Sequence, residues 1–597
     1  MTDHTILHHL ERHAAEQGGR PALHDKVSGS WKTTTWAEYN LLTRQAGRAL
    51  IALGLGEGQV VTILGANRPE WVVSALAAMR VGGISAGIYT SCSAEEIGYV
   101  VSHSESPIIV VENLERLNGV LEAWSETPML EYAVMMDGAG IHEDPRVLSW
   151  QEFLARADEV DDSEIDVRLA ALRSDQVADY IYTSGTTGPP KAVMLTHENL
   201  LWTATKLGDS ASSTNEEVAL SYLPLSHIAE QSSSILMPLV FGYEVHFCHD
   251  GLQLAEYLKQ VRPTTFFGVP RVWEKFEAGI RGQLSQAEGP KAKIAAWAQK
   301  VATKTLSVTN TGQVPGPVLR AQYAVADKLV LSKIHTAVGF DRARILVSGA
   351  APISAASVDF FASVGMTVLQ LYGQSEDTGP TSTNLPGANK SGTVGRVLDG
   401  VDVKIADDGE ILVRGKNVFA GYYKNQAATD ETLVEGWLHS GDLGSFDADG
   451  YLSVIGRKKD IIITSGGKNI APQNIEEELG SIDLVGTAVV IGEQQRFLVA
   501  LLTLEPEASS RLAVEHGLDA DTMHDDPLVR THLEEAITQQ VNPQMARVEH
   551  IRNFVVLPRD FSTETGELTP TFKVKRKVVN EMYAEQIAAA YEAGQQL

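Results

Sequence analysis

The sequence predicts an α/β fold. A large N-terminal domain of parallel-rich sheets with helices, plus a small β-rich region, is followed by a small α+β C-terminal domain. Three observations carry this. Short apolar runs alternate with helical stretches over the first two-thirds, the rhythm of parallel strands joined by helical crossovers. After residue 393 the pattern shortens, and two hairpin signals follow, Asp408-Gly409 and Asp449-Gly450. Beyond the charged run Gly456-Arg457-Lys458-Lys459-Asp460, strands and helices begin again, which places a domain boundary there.

The elements follow in order. Val60 to Leu64 reads as a strand, and Asn67 as the cap of a helix that begins near Pro69 and stops at Gly82. Thr264 to Phe267, Ile345 to Val347 and Thr367 to Leu371 read as further buried strands, each leading into a loop and a helix. Val401 to Ile405 and Glu410 to Val413 flank the first hairpin turn, and Tyr451 to Ile455 follow the second. In sheets of this kind ligands bind in loops at the carboxyl ends of the strands.

Composition narrows the function. The chain has 597 residues, with 49 Lys and Arg against 76 Asp and Glu, a net charge of −27. That field repels phosphate backbones and excludes nucleic acid as the main partner; an anionic ligand has to be met by a local basic site. Cys92 and Cys248 are the sole cysteines, too few for a disulfide scaffold, and read as buried small hydrophobes. No run approaches the ~18 apolar residues of a membrane span. The start, Met1-Thr2-Asp3-His4, is not that of a signal peptide, so a cytoplasmic protein is expected, with peripheral membrane contact left open.

The segment Tyr182 to His197, YTSGTTGPPKAVMLTH, carries the most chemistry. A strand, Asp179 to Tyr182, feeds a loop of Thr183, Ser184, Gly185, Thr186, Thr187 and Gly188 that ends at Lys191. Glycines let backbone N–H groups turn inward as an anion nest; four hydroxyls add donors and the lysine adds charge. The set suits a polyphosphate. It is not a Walker A loop, because Ala192 and not Ser or Thr follows the lysine.

This string resembles the signature of the adenylate-forming (AMP-binding) superfamily, which includes acyl-CoA synthetases, luciferases and carrier-loading adenylation domains. Its other motifs recur in order. The resemblance implies that Gly349, Ala350 and Ala351 form the turn against adenine. In Tyr372-Gly373-Gln374-Ser375-Glu376 it implies that Tyr372 stacks on the base, Ser375 (more often threonine in the family) reaches the α-phosphate and Glu376 binds Mg²⁺, with Thr183 also touching the metal. Asp442 would accept the ribose hydroxyls, Arg457 would reach the same sugar, and Lys459 would be the hinge of a mobile C-terminal domain. His227 in Leu223-Pro224-Leu225-Ser226-His227 would lie beside the substrate carboxylate. Lys573 would be the adenylation lysine, with Lys575 in reserve because Phe572 replaces the usual glycine. The implied domains are 1–456 for adenylation, 457–459 for the hinge and 460–597 for the small domain.

The segment Phe266 to Phe276 is similar to one in long-chain fatty acyl-CoA synthetases, where the residue matching Trp273 gates the acyl tunnel; the stretch Arg511 to Val548 also looks like that group. The expected activity is activation of a long-chain fatty acid with ATP and Mg²⁺ through an acyl-adenylate, then transfer to coenzyme A. The alternative is a fatty acyl-AMP ligase that passes its acyl group to a carrier protein. A luciferase-like oxygenase and a non-catalytic nucleotide-binding regulator rank lower. Lipid contact through Lys573, Lys575, Arg576 and Lys577 is a further reading.

Overall fold

The computed structural model describes residues 5–138, 142–183, 189–569 and 573–594. A seven-stranded sheet runs in the order Val147–Ser149, Tyr132–Met135, Ile108–Val111, Val60–Leu64, Ile84–Ile88, Val177–Thr183, Lys191–Thr196. All its pairings but the last are parallel. The central strands are buried residue by residue, as expected when helices cover both faces. A nine-stranded sheet runs Arg396–Val397, Ser382–Thr383, Val368–Tyr372, Ile345–Ser348, Thr265–Gly268, Val218–Ser221, Glu244–Phe247, Pro21–Val27, Ser30–Thr35. It is parallel inside and antiparallel at both edges.

The expected β-rich region is a five-stranded antiparallel sheet. Asp402–Ile405 pairs with Glu410–Arg414 through the Asp408-Gly409 turn, and Trp437–Phe446 pairs with Leu452–Arg457 across Asp449-Gly450. From residue 462 a mixed three-stranded sheet, Val485–Ile491, Leu498–Leu504 and Ile551–Val556, packs with its own helices around a separate apolar cluster.

Two expectations change. The helix Pro69–Arg80 forms and ends at Val81-Gly82, but its N-cap is Arg68 and not Asn67. The Asn67 amide instead reaches across to the other sheet, donating to Ser221 Oγ at 2.9 Å and the Leu223 carbonyl at 2.6 Å. Ser221 is buried and Leu223 half-buried, so pairing these acceptors counts for more than a local cap. Cys248 is buried as expected, whereas Cys92 is half-buried.

The helix Pro69–Arg80 is apolar on nearly every face, so it is enclosed, and its last residue carries a charge into the core. Arg80 is fully buried. It pairs with Glu11 and donates to Asn40 Oδ1 at 2.7 Å, tying three helices together. Burial alone would raise the Glu11 pKa; the charge of Arg80, hydrogen bonds from Arg80 and Asn40, and the charge of Arg44 overcome it and hold the carboxyl below its usual value of 4.5. Glu11→Gln removes that counter-charge and is expected to cost about 3 kcal/mol in urea unfolding, the lower end for a broken buried pair because Glu11 keeps some solvent. Because the folded pKa is depressed, the wild-type stabilisation is full above pH ~4.5 and is lost as pH falls through the folded value; the Gln variant lacks this limb.

Candidate active site

Four neighbouring parallel strands of the nine-stranded sheet deliver the motifs at their carboxyl ends. Val218–Ser221 leads to His227, Thr265–Gly268 to Trp273, Ile345–Ser348 to Gly349–Ala351, and Val368–Tyr372 to Gly373–Glu376. Ala350 takes a left-handed conformation, φ +65°, which turns the chain at the sheet edge. At Gly373 a Cβ would fall 1.4 Å from the Gly379 carbonyl oxygen, so glycine alone lets these two stretches of backbone touch. Ser348 Oγ and Gln374 Nε2 are buried without a hydrogen-bond partner among the described residues. Polar atoms left open at this edge are what a bound base or phosphate would satisfy.

One carboxylate joins the sheets. The Tyr372 hydroxyl donates to Asp442 Oδ2 at 2.8 Å, and Arg457 forms an ion pair with Asp442, Nε to Oδ1 at 2.9 Å. Asp442 and Arg457 sit opposite one another on adjacent strands, so the pairing register sets their contact. Burial raises the Asp442 pKa above the ordinary Asp value, although Arg457 and the Tyr372 hydroxyl oppose the rise.

The loop after Thr183 joins two strands, not a strand and a helix. Thr183 and Lys191 are cross-strand partners at its base. Ser184, Gly185, Thr186, Thr187 and Gly188 lie outside the described residues. The Lys191 ammonium stands 4.7 Å from the centre of the Tyr422 ring, a cation–π contact, and the Tyr422 hydroxyl donates to Glu376 Oε1 at 2.7 Å. Tyr422 is held there because its segment zips antiparallel along Lys191–Thr196, with Met194 N donating to Gly421 O at 3.0 Å and Tyr423 N to Ala192 O at 3.0 Å. Sequence reasoning missed Tyr422. The available signal was Gly421, with φ +130°, before two aromatics.

Under the Gln374–Glu376 turn lies a second missed residue. Asp377 is fully buried, accepting from Gln374 N and from Thr381 Oγ1, both at 2.7 Å. Burial drives its pKa far up, and Glu376 and Asp442 add to the rise against these hydrogen bonds. Ser375 is also buried.

Lys573 follows Pro570–Phe572, which lie outside the described residues. Its N–H donates to Thr569 Oγ1 at 3.0 Å, and its carbonyl accepts from Thr569 N at 2.8 Å. The side chain keeps solvent access but lines a crowded cleft. Desolvation and the charge of Arg457 lower its pKa, while Asp442 and Glu376 pull it up. Lys573 in turn acts on His227, whose pKa falls to about 4, mainly through burial. His227 Nδ1 accepts from Ala229 N at 3.1 Å, so the neutral ring carries its proton on Nε2. The His227 loop is braced by Asn67 and by Glu230, a buried acid that accepts from Ser234 Oγ at 2.6 Å and whose pKa burial raises to about 7.

Lys573, Asp442, Arg457, Glu376 and His227 therefore meet in one cleft. Lys575 caps the following helix, Arg576–Met582. Lys459 lies exposed in the short turn Lys458–Asp460. Trp273 is fully buried among Phe266, Phe276, Phe340 and Phe361, its Nε1 donating to the Gly268 carbonyl at 3.2 Å.

The donor set at Glu376 fits Mg²⁺. Its Oε2 makes no hydrogen bond to a described residue, and the Thr183 hydroxyl, which donates to Lys191 O at 3.4 Å, keeps its lone pairs. One carboxylate with hydroxyl and phosphate oxygens is what this ion takes. Among the described residues one other group, His24, Glu244 and His246, brings potential metal ligands together. Its imidazoles stack nearly parallel, 4.0 Å apart with planes 9° from parallel, so their in-plane lone pairs do not converge on one ion.

The chain is similar to known proteins over nearly its whole length. Residues 10–423 match the AMP-binding enzyme family and residues 459–595 the AMP-binding enzyme C-terminal domain. The chain belongs to the AMP-binding enzyme family. It is 36% identical to the long-chain-fatty-acid–CoA ligase ACSBG2 of Xenopus laevis, covering 98% of this chain and 84% of that protein. It is 37% identical to the long-chain-fatty-acid–CoA ligase FadD15 of Mycobacterium tuberculosis, covering 95% and 93%. Its fold matches the anthranilate CoA ligase AuaEII in complex with anthranoyl-AMP, with a TM-score of 0.72 at 20% identity over 99% of both chains. It also matches the adenylation domain of a carboxylate reductase from Mycobacterium chelonae, with a TM-score of 0.77 at 21% identity over 99% and 91%.

If Asp442 receives the nucleotide's sugar, Asp442→Asn weakens AMP binding by at least about ten-fold in titration calorimetry, the usual loss for a charge-assisted hydrogen bond. Unchanged affinity would make the carboxylate purely structural.

Proposed function

We propose that the chain is a long-chain fatty acid–CoA ligase. It activates the acid with ATP through an acyl-adenylate, then transfers the acyl group to coenzyme A, releasing AMP and pyrophosphate. The convergence of Lys573 with Asp442, Arg457, Glu376 and His227 carries the reading. The relatives named long-chain-fatty-acid–CoA ligase support the substrate class.

In the first step a carboxylate oxygen attacks the α-phosphorus of ATP, and the bond to the bridging oxygen of pyrophosphate breaks. No protein nucleophile is needed, so the residues position the reactants and balance charge. The Thr183–Gly188 loop and Lys191 hold the phosphates. Gly349–Ala351 and Tyr372 frame the adenine, and Asp442 and Arg457 take the ribose. Ser375 donates to the α-phosphate. Lys573 sets its ammonium beside the transferring phosphoryl group. Glu376 and Thr183 would hold Mg²⁺, which when bound offsets phosphate charge. His227, neutral above pH ~5 with its proton on Nε2, offers a hydrogen bond to the acid's carboxylate without competing for its proton. In the second step the thiolate of CoA attacks the acyl carbon and AMP departs. Rotation of residues 460–597 about Lys459 withdraws Lys573 and admits CoA. Trp273 closes the acyl tunnel until it swings aside.

A product assay with ATP, Mg²⁺ and a fatty acid series, with and without CoA, tests the reading. Acyl-CoA forming best from long chains is the expected result. Acyl-AMP that accumulates without transfer to CoA would replace this reading with the carrier-protein ligase. Lys573→Ala should lower fatty-acid-dependent pyrophosphate exchange by at least about 100-fold while sparing thioester formation from supplied acyl-AMP. With wild type, exchange should fall as pH rises through the depressed Lys573 pKa, below the usual 10.5; Lys573→Arg, which stays charged, should lose that limb even where its rate is lower.

A further inference from the structure

The charge of this protein is unevenly spread. Residues 289–333 hold seven Lys and Arg, at 291, 293, 300, 304, 320, 328 and 333, and one acidic residue, Asp327, in a chain with 49 basic and 76 acidic residues. They form a helical hairpin, Gly289–Thr309 and Pro317–Ala326, closed by its own small core of Ala298, Val301, Ala302, Ala326 and Leu331. All seven cations are exposed. None pairs with a carboxylate among the described residues, although ion pairs are frequent elsewhere on this surface. A basic hairpin left unneutralised on so acidic a chain marks a surface that meets an external anion.

The same hairpin turns apolar side chains outward. Val314, Val318, Val325 and Leu329 are exposed by 78%, 71%, 49% and 45%. Val318 and Val325, seven residues apart, share one side of the second helix, while Val314 stands in the loop before it and Leu329 in the turn after it, beside Lys328. Cations beside a narrow apolar stripe suit the boundary of an anionic bilayer, where valine and leucine enter the acyl region and lysine stems reach the headgroups.

The rod has a destination. Through the turn Asp327–Leu331 it continues into the helix Ser332–Val338. Ile334, Ala337 and Val338 of that helix line a cavity of about 210 Å³ together with Phe276, Gly279 and Ile280, and with Lys259 and Lys275. Phe276 also packs on Trp273, at 6.2 Å between ring centres. An apolar pit bordered by two lysines and backed by the aromatic cluster suits an acyl chain with its carboxylate.

We infer that the hairpin 289–333 docks the enzyme on anionic lipid surfaces, presenting the Phe276–Val338 pit to the bilayer as the entrance for the fatty acid. The entrance role rests on the proposed ligase function; the docking does not.

The test is sedimentation of the full chain with vesicles of phosphatidylglycerol or of phosphatidylcholine. Wild type should bind the anionic vesicles, and 0.5 M salt should release it. Lys328→Glu with Lys333→Glu should weaken binding at least about ten-fold, and the uncharged Val325→Gln should weaken it without altering the salt dependence. All three sites are exposed, so retained pyrophosphate exchange with detergent-solubilised fatty acid checks folding and tests the ligase reading separately. With acid supplied in anionic vesicles, the variants should be slower than wild type. No binding by wild type, or equal binding to neutral vesicles, would overturn the docking. So would variants that change self-association on ultracentrifugation but not vesicle binding, which would make the face an interface between copies. Variants that bind anionic vesicles as well as wild type would also overturn the docking, and variants that bind them less yet use vesicle-borne acid at the wild-type rate would overturn the entrance role.

Discussion

The cleft depends on one buried carboxylate. Asp442 accepts from Tyr372 at the end of the nine-stranded sheet and pairs its charge with Arg457 on the neighbouring strand of the five-stranded sheet. Without it, Arg457 would face Lys573 with no opposing charge on its own strand pair, and the Tyr372 hydroxyl would be buried without an acceptor. Cations crowded together need an anion that cannot move away, and a strand pairing supplies one more rigidly than a loop. The arrangement also explains the opposed pulls on Lys573, which Arg457 pushes toward the neutral amine and Asp442 and Glu376 hold toward the ammonium.

Much of this was legible in the sequence because it is local. Strand–loop–helix order, Asp-Gly turns and the glycine–hydroxyl loop depend on a few neighbouring residues. Asp442 and Arg457 could be named from their own motifs, and the Asp449-Gly450 turn midway between them is the signal in the chain that they face each other across a strand pair. Tyr422 was illegible for the opposite reason. Its role arises where three separated segments meet, and a tyrosine after a glycine has no periodicity to betray it. Asn67 read as a helix cap because caps are local, whereas its partners Ser221 and Leu223 lie more than 150 positions on. Trp273 was singled out as a gate, and its full burial in an aromatic cluster is also what a core residue would show.

Charge tells a similar story at larger scale. A net charge of −27 rules out phosphate backbones for the molecule as a whole, yet the hairpin 289–333 departs from it locally. The basic string Lys573 to Lys577 includes the lysine that lines the cleft. Averages over a chain describe its far field, and within about a Debye length the local sign governs.

Arg457 has a mechanical consequence. Its guanidinium is anchored on Asp442, while its own backbone N–H donates to Gln473 Oε1 at 3.3 Å, on the first helix beyond the proposed pivot. A rotation at Lys459 would therefore start two residues from a bond inside the ligand cleft. Lys573 stands in the same cleft as Arg457, so withdrawing its ammonium would need a large torsional change at the pivot. The Gln473 hydrogen bond would act as a latch, broken at the outset of the swing and re-formed when the domain returns.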